Sequence, residues 1–141
     1  MKTIILEGTD AVGKSSTAAA LAKRGIMCED RSKDIISRYM LFDVDMSVRA
    51  AHYDAFLRNA DVLVVFLVNH DEQELMRRIY SRPTVSEFDK RANEYNRLYQ
   101  DTFEYMVAHK LTHGKLVLLD CTGLSLDEQI DAVEHTVRSA L

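Results

Sequence analysis

The sequence has no tryptophan, one proline (Pro83), five glycines and two cysteines in 141 residues. Cys28 and Cys121 lie far apart and form neither a CxxC pair nor a Cys/His cluster. This excludes a structural zinc site and a disulfide scaffold, and leaves two reduced, buried thiols of a cytoplasmic protein as the expectation. The five histidines show no HExxH-like spacing. With one proline and scattered glycines there is no linker, repeat or low-complexity tract. No apolar run approaches the roughly 18 residues of a membrane span. The N-terminus runs straight into strand-like sequence, without the charged start, apolar middle and small-residue cleavage site of a secretory signal. A net charge of −4 advertises no broad basic face for nucleic acid. Basic residues gather only locally, at Arg77, Arg78 and Arg82, then Lys90 and Arg91.

What is present suits one α/β domain spanning residues 1–141. Hydrophobic residues make up 47% of the chain, enough for a core. Thr3–Glu7 (TIILE), Val62–Val68 (VLVVFLV) and Leu116–Leu119 are uniformly apolar, as strands of a parallel sheet covered on both faces are. Ile26–Asp30 supplies a shorter fourth strand. Lys14–Arg24, rich in Ala and Leu, predicts a helix closed by Gly25, and Ser47–Arg58 predicts another. Asp71 with Glu74, and Ser125 with Glu128, have capping-box spacing. Ile130, Val133 and Val137 follow the second box on one helix face. Phe88, Ala92, Tyr95, Tyr99, Phe103 and Met106 recur at steps of 4, 3, 4, 4 and 3, one apolar face of a long helix, so core packing is expected of Tyr95 and Tyr99. Strands alternating with helices predict a three-layer fold around about four parallel strands.

Gly8-Thr9-Asp10-Ala11-Val12-Gly13-Lys14-Ser15 fits G-x-x-x-x-G-K-[ST], and it follows a predicted strand and opens a predicted helix. Glycines let successive backbone N–H groups converge on one point, and the helix N-terminus adds partial positive charge. In such a loop Lys14 reaches the β- and γ-phosphates of ATP and the Ser15 hydroxyl serves as a Mg²⁺ ligand, with Ser16 beside it. Guanine recognition would require Asn-Lys-x-Asp after a strand. Asn69-His70-Asp71-Glu72 lacks the lysine and misplaces the aspartate, which argues against a GTPase. Asp120, ending a second apolar strand, is the one opening for a mechanical ATPase.

The segment from Ile5 to Ser16 resembles the start of thymidylate kinases, with their Glu-Gly-x-Asp/Glu-x-x-Gly-Lys pattern. Asp30-Arg31 resembles that family's Asp-Arg pair, Asn59–Leu63 its Pro-Asp-Leu strand entry, and Arg78-Ile79-Tyr80-Ser81-Arg82 the Arg-Ile-x-x-Arg leading into its lid. Glu87-Phe88-Asp89 resembles the end of that lid, and Leu118–Cys121 the final strand. The matches run in order along nearly the whole chain. Asp30-Arg31-Ser32 with Arg38-Tyr39 also resembles the related deoxynucleoside kinases. One departure stands out. Only fifteen residues separate Lys14 from Asp30, where thymidylate kinases place a further strand and helices with an Arg-Glu-Pro-Gly acceptor motif.

The resemblance implies a kinase that uses ATP and Mg²⁺, and it suggests roles. Asp10 faces the acceptor as a base or a hydroxyl contact, the alternative being a turn-forming Asp. Asp30 assists Mg²⁺ binding or acts as base, at the carboxyl end of a strand where ligands bind in open sheets. Arg82 is the lid arginine that stabilises the migrating phosphoryl group, and Arg78 its partner one turn earlier on the same helix face. A solvated helix face is the plain alternative for both. Arg31, Tyr39 and Arg49, with Phe42, His52 and Tyr53, lie in the stretch that should line the acceptor pocket, although the aromatics suit a core equally well. Asp120–Gly123 would hold adenine. A homodimer is implied, with Ser47–Arg58 as the interface. The expected acceptor is a pyrimidine deoxynucleotide or nucleoside. The shortened acceptor segment raises a second reading, a phage-type kinase acting on a hydroxymethyl pyrimidine in DNA, and a non-catalytic ATP-binding module is a third.

Overall fold

A computed structural model describes residues 2–30 and 44–140, the side chains of Asp10 and Phe88 excepted. Arg31 and Tyr39, with Ser32, Arg38 and Phe42, therefore lie outside the described residues. The elements run β1 (Thr3–Glu7), a 3-10 turn (Asp10–Val12), α1 (Lys14–Lys23), β2 (Cys28–Glu29) and α2 (Met46–Asn59). They continue with β3 (Val62–Val68), α3 (Glu72–Tyr80), α4 (Glu87–Lys90), α5 (Ala92–Ala108), β4 (Leu116–Asp120) and α6 (Leu126–Ala140).

The four strands pair in parallel in the order β2-β1-β3-β4. β1 and β3 pair over the full length of β1, from Thr3 opposite Val62 to Glu7 opposite Phe66. Every residue of β3 is buried, because both faces of the strand are covered. Val62, Val64, Phe66 and Val68 pack with Ala50, Tyr53 and Leu57 of α2 and Tyr95, Tyr99 and Met106 of α5. Leu63, Val65 and Leu67 point the other way, to Leu21 of α1 and Ile130, Val133 and Val137 of α6. The period of two along one strand thus divides the core into two halves, one on each face of the sheet. A smaller cluster of Leu75 and Ile79 of α3 with Ala92 backs Ala11 of the phosphate loop.

Of the two capping boxes expected, the one at Ser125 forms in full and the one at Asp71 forms by half, because the Asp71 amide donates to Asn69 Oδ1 at 2.9 Å and the Glu74 carboxylate pairs with Arg77 and Arg78. The Asp71 carboxylate accepts the Glu74 amide at 3.1 Å, and Ser125 and Glu128 exchange backbone-to-side-chain bonds at 3.0 and 3.1 Å. Gly25 has φ +83, the left-handed conformation of a helix-closing residue. Two expectations change. The helix expected to run from Phe88 to Met106 is broken at Arg91 (φ −96, ψ 13), so α4 and α5 are separate. The step of four from Phe88 to Ala92 carries the apolar repeat across the break and conceals it in the sequence. Cys28 is half-buried rather than buried, because β2 is a two-residue edge strand. Burial pushes the Cys28 thiol up to about 11 and Cys121 to about 12, so both stay protonated near neutrality. Among the described residues no helix is long and apolar enough to cross a membrane.

Leu63 is fully buried at the centre of the sheet. Leu63→Ala should lower unfolding free energy by about 2–5 kcal/mol, whereas Val48→Ala, at a 43% exposed position of α2, should change it by less than about 0.5 kcal/mol. Urea titrations of the two variants against the parent chain check the contrast.

Candidate active site

The chain leaves β1 to one side to build β2, then crosses to the other side of β1 for β3. In an open parallel sheet such a reversal opens a crevice at the carboxyl ends of the strands. Glu7, Glu29 and Val68 end β1, β2 and β3 there, and Gly8, Asp30 and Asn69 follow them directly.

Gly8 is required by contact. A Cβ on it would lie 2.6 Å from the Leu67 carbonyl oxygen and 2.9 Å from Val12 Cγ1, so only a residue without a side chain lets the loop leave the sheet here. Thr9, 3% exposed, follows, and its carbonyl accepts the Val12 amide at 3.1 Å to close the 3-10 turn over Asp10, Ala11 and Val12. Gly13 has φ +89 and stands as the N-cap of α1, turning the chain so that the helix begins at Lys14. The first-turn amides and the helix dipole therefore point out of the loop, an arrangement that attracts anions.

Lys14 is 4% exposed, and its ammonium donates to the Gly8 carbonyl at 2.5 Å, folded back across the loop. Ser15 and Ser16 are exposed on the first turn of α1. The Ser15 hydroxyl donates to Asp30 Oδ2 at 2.5 Å, linking that turn to the residue after β2. A hydroxyl beside a carboxylate is an all-oxygen set of the kind that Mg²⁺ takes together with substrate phosphates and water. These two residues fit a Mg²⁺ ion as partial ligands only. Among the described residues no group of three or more His, Cys, Asp or Glu side chains is arranged to hold a metal.

The arginines separate. Arg78 stays at the loop: its Nη1 donates to the Ala11 carbonyl at 3.1 Å while Nε pairs with Glu74 at 3.0 Å. Arg82 is not on the same helix face, because α3 ends at Tyr80. Its Nη1 pairs with Asp89 at 3.3 Å, and Asp89 itself caps α4 through Ser86. Arg49 is 4% exposed. It donates to the Val44 carbonyl at 3.1 Å, with Thr102 Oγ1 and Met46 Sδ each at 3.5 Å, and no carboxylate pairs with it among the described residues. Burial holds its guanidinium below the ordinary value. Tyr53 lies in the core against Phe66. At the end of β4, burial raises the Asp120 carboxyl, but the Thr122 hydroxyl and amide outweigh it and bring it below its usual range.

Gln129 belongs to no motif in the sequence, yet it touches the loop. From the first turn of α6 its amide donates to the Val12 carbonyl at 2.9 Å and to Thr17 Oγ1 at 3.0 Å, bracing the loop from behind. The available signal was a polar residue on the buried stripe of α6, beside Ile130 and Val133.

Arg77 and Arg78 together hold the Glu74 carboxyl down at about 2. With a folded-state value below the ordinary 4.5, the stability this pairing contributes is complete above that value and is lost as pH falls toward about 2. NMR titration of the Glu74 side chain should therefore show a midpoint near 2, and Arg77→Ala with Arg78→Ala should return it toward the ordinary carboxylate range.

No family model and no curated protein matches the chain. Eight solved chains do. One is the thymidylate kinase of Candida albicans, whose structure is described as revealing the origin of broad substrate specificity and a novel structural element. It has 13% sequence identity to this chain and a TM-score of 0.53, over 98% of this chain and 91% of that one. At that identity the likeness establishes the architecture alone: this chain shares the three-layer α/β fold of that structure, with the Gly8–Ser15 loop directly after its first strand.

Proposed function

We propose that the chain is an ATP-dependent phosphotransferase that moves the γ-phosphoryl group to a pyrimidine deoxynucleotide or nucleoside. The observation that carries this reading is the Ser15–Asp30 bond across the mouth of the phosphate loop, 2.5 Å long. It joins the hydroxyl at the motif's Mg²⁺ position to the carboxylate that follows β2, and this supports reading the two as the metal-side contacts of a phosphate-binding loop.

The loop amides and the N-terminus of α1 bind the phosphates. Lys14 exchanges its contact with the Gly8 carbonyl for the β/γ-phosphate oxygens. Ser15 and Asp30 would hold a Mg²⁺ ion, which would supply charge neutralisation on those phosphates. Arg78, already against the loop, adds positive charge on the ATP side. Arg82 reaches the migrating group only by exchanging its pairing with Asp89, as a lid residue does on closure. Asp10 and Asp30 are the carboxylates offered as base. Arg31, Tyr39 and Arg49 are assigned to the acceptor. The thymidylate kinase likeness supports nucleotide chemistry in general, and the acceptor is our own assignment.

A second acceptor reading, a hydroxymethyl pyrimidine within DNA, draws on one feature. Only four residues, Arg24–Met27, separate α1 from β2, so no strand or helix intervenes there to enclose an acceptor. The net charge of −4 weighs against it, because DNA binding relies on neutralising phosphates.

The deciding assay incubates the protein with γ-labelled ATP and Mg²⁺, separately with dTMP, thymidine, other nucleosides and hydroxymethyluracil-containing DNA. Label on a free nucleotide or nucleoside is the expected result. Label only in DNA would transfer the assignment to the second reading. ATP binding without transfer to any acceptor would leave a non-catalytic module. In the active case Lys14→Ala should lower kcat by about 10²–10³-fold, the usual cost of one charge-stabilising donor. Asp30→Asn should raise the Mg²⁺ concentration needed for half-maximal rate by about tenfold or more. An unchanged Mg²⁺ requirement would remove Asp30 from the metal site.

A further inference from the structure

Glu7, the last residue of β1, is fully buried immediately before the phosphate loop. Burying a carboxylate is costly unless donors meet it. Here Oε2 accepts the Tyr53 hydroxyl at 3.1 Å and the Tyr99 hydroxyl at 3.2 Å. The two tyrosines come from different helices, Tyr53 from α2 and Tyr99 from α5, and both rings are almost wholly buried. Their rings stand edge-on to Phe66, with centroids 5.4 and 5.0 Å away, and Phe66 is the residue opposite Glu7 in the β1–β3 register. The rings and the carboxylate thus form one unit beneath the start of the loop.

This unit has a short path to the phosphate site. Glu7 is bonded directly to Gly8, where any Cβ would collide with the Leu67 carbonyl and whose own carbonyl accepts Lys14. Any tilt of the β1 end moves Gly8, and with it the anchor of the lysine. The helices that hold Glu7 come from the two regions assigned to substrate. α2 follows the stretch after Asp30, and α5 follows the Arg82–Asp89 segment. A core alone would be served as well by an apolar residue here, since a buried polar cluster seldom outperforms well-packed hydrophobic side chains.

We propose that Glu7 is a positioning residue: its carboxylate, gripped by the Tyr53 and Tyr99 hydroxyls, fixes the phosphate loop relative to α2 and α5. The proposal rests on the loop being the ATP site, and it predicts that loosening the grip weakens the loop before it weakens the sheet.

The test uses Tyr53→Phe with Tyr99→Phe, which deletes two oxygen atoms and keeps both rings against Phe66. Backbone hydrogen exchange is measured on the ligand-free protein, and Mg·ATP affinity by calorimetry. Each hydroxyl–carboxylate bond is worth about tenfold in an opening equilibrium. Exchange at the Val12 and Thr17 amides, which bond the Thr9 and Gly13 carbonyls of the loop, should therefore quicken about tenfold or more in the double variant, while amides 63–67 of β3 change less than about twofold. The Mg·ATP Kd should rise about threefold to tenfold by the same loosening. Equal acceleration in β3 and the loop, or none in either, would overturn the proposal, since the hydroxyls would then serve the core alone. Selective loosening in a protein whose parent chain binds no ATP would uphold the positioning role and remove the nucleotide reading.

Discussion

The parallel pairing of β1 with β3 is the constraint on which the rest of the molecule depends. Five residue pairs hold the two strands in register. At the end of that register Gly8 passes so close to the Leu67 carbonyl that no side chain would fit. The phosphate loop is in this sense an extension of the sheet. Its starting point is set by strand pairing, and its curvature by a glycine contact and a left-handed Gly13. A one-residue slip of β1 would turn Glu7 to the opposite face and move the loop's origin by one strand step.

The two halves of the core do different work for the loop. On the α1 and α6 side, Gln129 braces it through Val12 and Thr17. On the α2 and α5 side, two tyrosines grip the carboxylate at its origin. α3 completes the enclosure with apolar contacts to Ala11 and with Arg78 on the Ala11 carbonyl. The loop is thereby held from three directions by elements well separated in sequence.

The arginines show how the end of one helix sorts residues of the same type. Arg78 lies within α3 and faces the loop. Arg82, four residues on, lies beyond the helix end and is drawn to Asp89, which also caps α4. Helical spacing alone would place both on one face. The Ser81 C-cap interrupts that periodicity and gives one arginine to the phosphate loop and the other to the segment before α5.

Much of the architecture was legible in the residues. Uniformly apolar runs marked three strands, although β4, at the edge of the sheet, is buried only at Leu116 and not along its length as its sequence implied; capping-box spacing at Asp71 and Ser125 marked two helix starts, and the G-x-x-x-x-G-K-S pattern after a strand marked the loop. These features are local: each depends on side-chain period, backbone freedom or a hydrogen bond spanning a few positions. The break at Arg91 was hidden because the apolar repeat continues across it. Gln129 and the Glu7–Tyr53–Tyr99 unit were hidden because their partners are from 46 to 117 positions away. The sequence by itself determined the class of fold and the place of the Gly8–Ser15 loop between β1 and α1. The tertiary structure alone decided which carboxylate meets Ser15, which arginine stays at the loop and what holds the loop in place, because those outcomes depend on how the strands order themselves and where each helix ends.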